Sequence, residues 1–315
     1  MRSPRIVAVV AVATVLATTL LLGAATAHAA PVWSGLDVRD YAGPIPPSGT
    51  LIAQTTLDPA VSLPSAGRAL RIHYSTPDVR GNPATSTGAV FLPASPPPPG
   101  GYPVIAWAHG TTGIGDDCAP STVPNSPRNT TYLSHWLDQG YAIVATDYQG
   151  LGTPGLMSYL NGQVEAMSVV DSVRAAHQLG LPLANRWAIV GQSQGAGAAL
   201  NAAQRATALS AGTDLDYRGV VATGIPANFE TVFALAGPYL PPVALPAPLN
   251  TYAAYLWAGF ADARPDLDPA SILSPLGHRL FDLAHTLCFA DMTKEVAGLQ
   301  LRDFLAEPVA SIPGV

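Results

Sequence analysis

The sequence has little charge and almost no lysine. Charged residues make up 11% of its 315 residues, and 15 Lys and Arg, of which Lys294 is the single lysine, face 21 Asp and Glu. Soluble domains carry roughly 25% charged residues, and a nucleic-acid-binding surface needs a basic stripe that attracts phosphates. The composition therefore excludes nucleic acid as a partner. A hydrophobic content of 48% nevertheless suffices for a packed core.

Cysteine is equally scarce, with only Cys118 and Cys288 present. The sequence contains no H-E-x-x-H or C-x-x-C metal motif and no glycine-rich dinucleotide loop, so we expect neither a metal nor a cofactor. An even cysteine count favours one disulfide in an oxidising compartment, whereas two unrelated free thiols are typical of the cytosol.

The N-terminus has the pattern of a secretory signal peptide. Arg2 and Arg5 precede an apolar run over residues 6–22, and the small-residue triplet of residues 27–29 (AHA) follows. An uncleaved membrane anchor is the alternative, but polar threonines interrupt the apolar run. We predict that residues 1–29 are removed, which leaves a secreted, extracellular protein without a stable membrane anchor.

Residues 30–225 have the pattern of an α/β core. Short β-type segments first indicate an antiparallel meander, and the uninterrupted apolar run at 104–108 then indicates a strand buried on both faces. Strands and helices alternate from there, which predicts a doubly wound, mostly parallel sheet. We expect strands at 51–55, 70–75, 86–92, 104–108, 141–146, 187–190 and 219–223, and helices at 132–139, 163–179 and 194–208.

Residues 226–303 are predicted to form an inserted, mainly helical cap. Residues 231–261 contain no charged residue but several prolines, which a membrane-spanning helix would not tolerate. Further helices are expected at 276–287 and 292–305. The cap aromatic residues either offer apolar surface to an acyl chain or a lipid interface, or bury one another inside the cap. They are Phe229, Phe233, Tyr239, Tyr252, Tyr255, Trp257 and Phe260.

One short motif indicates a catalytic residue. Residues 191–195 (GQSQG) match G-x-S-x-G between an apolar strand and a small-residue helix, the context in which Ser193 projects as a nucleophile. The alternative is a glycine-rich helix start with an ordinary capping serine. Acyl transfer also needs donors for the developing oxyanion. The backbone N–H of Gln194 supplies one, and Thr111 in residues 109–113 (HGTTG) is our candidate for the second, although these residues also fit a simple glycine-rich turn.

Several of these segments together resemble the secretory lipase family of α/β-hydrolases, which includes fungal lipase A. They are residues 109–113 (HGTTG), 117–121 (DCAPS), 140–141 (GY), 147–150 (DYQG) and 191–195 (GQSQG). The resemblance covers about residues 45–315 and implies an esterase or lipase with a helical cap after the sixth core strand. It implies Ser193 as nucleophile, Gln194 as an oxyanion donor, and a disulfide that joins Cys118 to Cys288 in the cap.

The chain departs from the family pattern after the cap. A serine nucleophile needs an acid and then a histidine on the loops after later core strands. Residues 304–315 predict only an incomplete return to the core, so we expect both groups to be absent from this chain, which would make it a poor hydrolase. His278 and His285 are seven residues apart and share a helical face, but a structural role is the better interpretation. His109 and Asp147 are expected to support the neighbouring loops.

The leading hypothesis is a secreted carboxylic-ester hydrolase that acts on acylglycerol-type lipid esters, at a lipid–water interface or in solution, through an acyl-serine intermediate. Two alternatives stay open at this point. One is an incomplete, catalytically inactive hydrolase-like product that binds acyl ligands. The other is an acyltransferase on the same scaffold.

Overall fold

A computed structural model describes residues 30–314, apart from the side chain of Val232. The predicted signal peptide, residues 1–29, lies outside the described residues. No helix within the described range is long and apolar enough to cross a bilayer.

The centre of the molecule is a seven-stranded sheet in the order β1-β2-β3-β5-β4-β6-β7. The first three strands form the predicted antiparallel meander, β3 pairs antiparallel with β5, and the remaining pairs are parallel. The mostly parallel α/β sheet predicted from the sequence is thereby confirmed. The strands are β1 (Leu51–Thr56), β2 (Ala66–Pro77), β3 (Pro83–Pro93), β4 (Tyr102–Ala108), β5 (Ala142–Thr146), β6 (Leu183–Gln192) and β7 (Asp216–Thr223).

Helices cover both faces of this sheet. On one side, α2 (Gly162–Ala176) and α3 (Gln194–Leu209) pack on alternate residues of β4 such as Val104. On the other side, α1 (Pro127–Asp138) packs on the intervening residues such as Ile105. Since successive side chains of a strand point to opposite faces, the uninterrupted apolar run of β4 is what two covered faces require.

Two helix boundaries differ from the prediction because of capping residues. Helix α1 begins at Pro127, five residues before the predicted start, since Ser126 accepts a hydrogen bond from the N–H of Asn129 and Pro127 fits the first turn. Helix α2 ends at Ala176, and the chain continues as a 3₁₀ turn, His177–Leu179, until Gly180 takes a left-handed conformation with φ of 66°.

The predicted cap is helical, with its longest helix inside the uncharged segment. Pro248 is tolerated there because it lies in the first turn of that helix. The predicted helix at 292–305 is wrong: a helix ends at Glu295, and Gly298 then takes a φ of 76°. The four helices are α4 (Phe229–Ala234), α5 (Ala247–Ala263), α6 (Pro275–Ala284) and α7 (Phe289–Glu295).

The chain after the cap lies against the cap rather than along the sheet. The N–H of Ala306 donates to the carbonyl of Ile272, and the N–H of Val309 donates to that of Ala236. Within residues 30–314, β7 pairs only with β6, so its other edge is unpaired and Val221 is 51% exposed. Residues 304–314 thus add no strand to the sheet, and their incomplete return to the core stays a prediction.

Candidate active site

Ser193 occupies the turn that joins β6 to α3. Its backbone is strained, with φ of 58° and ψ of −123°, and its N–H donates to the carbonyl of Thr223 at the end of β7, 2.9 Å away. Ser193 is half-buried and lines two cavities. This is the strand–turn–helix context that the motif requires, and the nucleophile assignment stays a prediction.

The two glycines of the motif are there because the backbones approach one another too closely for a side chain. A Cβ on Gly191 would come within 2.0 Å of the Gly195 carbonyl oxygen, and a Cβ on Gly195 within 1.9 Å of the Ala108 carbonyl oxygen. Both contacts are with backbone, which cannot rotate away. The tight turn at Ser193 therefore depends on glycine at both positions.

A pair of glycine variants on α3 tests this packing. Gly195→Ala is expected to destabilise the protein by at least about 3 kcal/mol, because the new methyl overlaps backbone. Gly197→Ala is the matched control: its Cβ would meet only Pro226 Cγ at 3.7 Å, so it should stabilise by about 0.5 to 1 kcal/mol. Urea denaturation of both variants measures the difference, and equal midpoints would contradict the close approach.

The loop after β4 lies beside Ser193. A Cβ on Gly110 would be 3.5 Å from Ser193 Cβ, and the Thr111 hydroxyl shares a hydrogen bond of 2.6 Å with the Tyr159 hydroxyl. Gln194 is the first residue of α3, so its N–H has no carbonyl one turn earlier to bond. The structure therefore brings Ser193, Gln194 and Thr111 into one region, and the oxyanion roles of the latter two stay predictions.

His109 holds this loop in place. Its Nδ1 lies 2.7 Å from the Gly110 carbonyl and its Nε2 lies 3.2 Å from the Asp147 carbonyl, while the ring stacks on Tyr148. Burial lowers the pKa of His109, whereas the hydrogen bonds to the Gly110 and Asp147 carbonyls oppose this shift. The expected supporting role of His109 fits these contacts.

Asp147 is a buried carboxylate with its acceptors occupied. It accepts hydrogen bonds from the Thr87 hydroxyl and from both the hydroxyl and the N–H of Ser121. Its own carbonyl meets His109. Asp147 thus braces the loop that carries Thr111, in agreement with the predicted structural role.

The two cap histidines lie apart from Ser193. His278 is exposed, and His285 Nδ1 lies 2.8 Å from the Phe281 carbonyl one turn earlier. Neither side chain lines either cavity at Ser193. Within residues 30–314, no hydrogen bond joins a histidine ring to the Ser193 hydroxyl.

The two cavities that meet at Ser193 differ in chemistry. One, of about 490 Å³, extends under the cap and is walled by Phe233, Trp257 and other apolar side chains. The other, of about 280 Å³, lies toward α1 and includes Asn125, Arg128 and Asn129. A group bound at Ser193 can therefore extend into an apolar space on one side and a polar space on the other.

A disulfide joins the region after the Thr111 loop to the cap. Cys118 and Cys288 are bonded with an S–S distance of 2.09 Å across 170 residues of chain, which confirms the predicted pair. A main-chain bond reinforces it, because the N–H of Phe289 donates to the Thr112 carbonyl at 2.8 Å. The start of α7 is thus tied to the loop beside Ser193.

The sequence reasoning did not identify Glu165. This residue of α2 is 1% exposed, and its Oε1 accepts a hydrogen bond of 2.8 Å from Gln194 Nε2. Burial raises the pKa of Glu165 to about 8. The available signal was an acidic residue next to the apolar face of a predicted core helix, because a carboxyl at such a position is rarely fully buried without a specific role.

The strand order of the sheet and the strained serine between β6 and α3 define an α/β-hydrolase fold. Residues 122–273 match the family model of the secretory lipases. That stretch, which carries Ser193, β7 and the start of the cap, is similar to the secretory lipases, and the predicted resemblance is confirmed.

Two solved structures illustrate the likeness in fold. Candida antarctica lipase A in its closed state is similar with a TM-score of 0.66 and 19% identity, over 82% of this chain and 60% of that chain. The ligand-bound rice cell wall degrading esterase LipA from Xanthomonas oryzae is similar with a TM-score of 0.63 and 21% identity. The match covers 82% of this chain and 74% of that chain. The comparison with curated proteins found no match. The chain thus spans about 60% of the length of the lipase A that it matches.

Proposed function

We propose that the protein is a serine-dependent carboxylic-ester hydrolase that cleaves lipid esters through an acyl-serine intermediate. The observation that carries this proposal is the placement of Ser193, which lies on a strained strand-to-helix turn between an apolar and a polar cavity. Strain at that position exposes the hydroxyl to a substrate.

The reaction has two steps. Ser193 Oγ attacks the ester carbonyl and passes its proton to solvent water, while the N–H groups of Gln194 and Thr111 donate to the negative oxygen. The bond between carbonyl carbon and alcohol oxygen then breaks, and the alcohol leaves with a proton. Water next attacks the acyl-serine, which releases the carboxylic acid and restores the Ser193 hydroxyl.

The apolar cavity supports a fatty acyl chain as the acid part. Phe233, Tyr252 and Trp257 line it, whereas the neighbouring Tyr255 is fully buried with its hydroxyl bonded to the Leu287 carbonyl. Some cap aromatic residues are thus available to contact an acyl chain, while others are buried inside the cap. A cavity of about 490 Å³ lies in the range that binds small organic ligands.

The polar cavity supports a hydrophilic alcohol part. Its amide and guanidinium groups, from Asn125, Arg128 and Asn129, can hydrogen-bond free hydroxyls but would be left unpaired against a second acyl chain. We therefore expect partial glycerides to be better substrates than triacylglycerols.

The test is to incubate the full chain with monodecanoylglycerol and to follow free fatty acid and the mass of the peptide that contains Ser193. Slow fatty acid release with an acylated Ser193 peptide is the result expected for a hydrolase in which no histidine ring of residues 30–314 bonds the serine hydroxyl. Bound ester without acylation would favour the non-catalytic, acyl-binding alternative. With an added alcohol acceptor, transfer that exceeds hydrolysis would favour the acyltransferase.

The protein is further proposed to act at a lipid–water interface after secretion. The predicted signal peptide and the disulfide support export to an oxidising compartment. The uncharged segment at 231–261 supports contact with lipid, because four of its apolar side chains are 49 to 63% exposed and one of them, Leu249, also lines the apolar cavity. These four residues, which we name the apolar rim, are Leu235, Tyr239, Val243 and Leu249.

A charge placed in the apolar rim tests this contact. Leu235→Glu combined with Val243→Glu is expected to weaken adsorption to lipid emulsion droplets by about tenfold or more, since each buried leucine or valine contributes roughly 1.5 to 3 kcal/mol. The matched control is Leu156→Glu, which changes a 47% exposed leucine outside the segment. Sedimentation with the droplets measures binding, and equal adsorption of the rim variant and the control would contradict the proposal.

A further inference from the structure

We propose that Glu165 is a positioning residue that, as an undissociated acid, pairs with the side-chain amide of Gln194 and so fixes the backbone N–H next to Ser193. The inference rests on the proposed function, because it assigns a purpose to the oxyanion donor of that reaction.

The geometry of the pair leaves two atoms without partners. Gln194 Nε2 donates to Glu165 Oε1 at 2.8 Å, and the N–H of Leu160 donates to the same oxygen at 3.1 Å. Glu165 Oε2 and Gln194 Oε1 are both buried and have no hydrogen-bond partner among residues 30–314. Both atoms are acceptors when Glu165 is ionised, so an anion would leave each unsatisfied.

A single proton on the Glu165 carboxyl would give both of these atoms a hydrogen-bond partner. A carboxylic acid and a primary amide can join through two parallel hydrogen bonds, in which the amide N–H donates to one acid oxygen and the acid O–H donates to the amide oxygen. With the proton on Glu165 Oε2, the existing bond to Oε1 is kept and Gln194 Oε1 gains a donor. The side chain of Gln194 is then held at two points instead of one.

The surroundings of Glu165 also favour the neutral acid. Glu165 and Gln194 are each 1% exposed. The titratable groups that face the carboxyl are the hydroxyls of Tyr148 and Tyr159, and no cation within residues 30–314 lowers its pKa. Burial without a positive partner favours the uncharged form.

The neutral state matters for the chemistry at Ser193. Gln194 begins α3, so its backbone N–H and its side chain belong to one residue whose orientation the acid pair fixes. Ionised Glu165 would break one of the two bonds. It would also place a negative charge close to the oxygen that becomes negative in the transition state, and the two charges would repel.

Infrared spectroscopy tests the protonation state without any need for activity. The full chain is expected to show the carbonyl stretch of an undissociated carboxyl at about pH 6 that disappears by about pH 10, and Glu165→Gln should remove this component. Asp171→Asn is the matched control, because Asp171 is another buried acid on α2 whose pKa is raised but which bonds Ser48 and Arg174 instead. If Glu165→Gln removes no such component, the neutral pair is overturned, whatever the enzyme does.

The rate of Ser193 labelling by a fluorophosphonate tests the positioning role. Above about pH 8 the labelling rate of the unaltered protein should fall by roughly tenfold as Glu165 ionises. Glu165→Gln retains the two-point pairing through its own amide. Its labelling rate should therefore stay within about threefold of that of the unaltered protein at neutral pH, and the rate should not fall above about pH 8. Glu165→Leu should label about tenfold more slowly at neutral pH, because leucine cannot hydrogen-bond the side-chain amide of Gln194.

Asp171→Asn should keep the pH profile of the unaltered protein. An alkaline fall that persists in Glu165→Gln, or a Glu165→Leu variant that labels as fast as the unaltered protein, would overturn the positioning role. Absence of labelling in every variant would instead count against the proposed function, and the infrared result would still decide the neutral pair.

Discussion

Ser193→Ala is expected to abolish covalent labelling by a fluorophosphonate and acylation by an ester substrate. Both reactions form a bond to Ser193 Oγ, so a methyl group at that position leaves nothing to react. The effect does not depend on which group serves as the base, because a weakly activated hydroxyl still labels slowly whereas an absent one never does. Mass spectrometry of the labelled peptide, together with in-gel fluorescence, measures the loss.

Ser126→Ala is the matched control for this experiment. Ser126 lines the same polar cavity as Ser193 and caps α1, so its removal should cost about 1 kcal/mol of stability but leave the labelling intact. Labelling of Ser193→Ala at an unchanged level, or loss of labelling in Ser126→Ala, would refute the assignment of Ser193 as the nucleophile.

Replacement of Cys118 and Cys288 together by alanine is expected to lower the free energy of unfolding by as much as about 5 kcal/mol. The bond closes a loop across 170 residues, and the entropy that it removes from the unfolded chain grows with the logarithm of that length. Native-state relaxation reduces the measured value below this figure. Urea denaturation of the double variant gives the change directly.

The unaltered protein with its disulfide chemically reduced is the control for the double variant. Reduction leaves both side chains in place, so a similar loss of stability in the two samples would assign the effect to the closed loop rather than to the packing of sulfur. A double variant as stable as the oxidised protein would contradict a stabilising role for this bond.

Local signals in the sequence were sufficient for much of the fold. The strand β4 is an unbroken apolar run, and the turn at Ser193 needs glycine at two fixed positions, so both were predictable from a few adjacent residues. The disulfide was different. Its partners are 170 residues apart, and only the resemblance to a family implied that they pair.

Features that depend on distant contacts were not predictable in this way. Glu165 and Gln194 are 29 residues apart, and their pairing exists only because α2 and α3 pack side by side. The end of α7 was missed because the helical pattern continues past Glu295, while the left-handed turn at Gly298 stops it. A glycine inside an apolar pattern predicts such a stop only weakly.

The apolar rim also determines how adsorption to lipid should depend on salt concentration. Proteins that reach a lipid surface through basic clusters are released as ionic strength rises, because ions screen the attraction. The segment that carries the rim has no charged residue, so there is no attraction to screen, and salts that are excluded from protein surfaces strengthen apolar burial. We therefore expect adsorption to zwitterionic droplets to be constant or to increase in concentrated sulfate, and release by salt would show that charges elsewhere on the protein hold it at the surface.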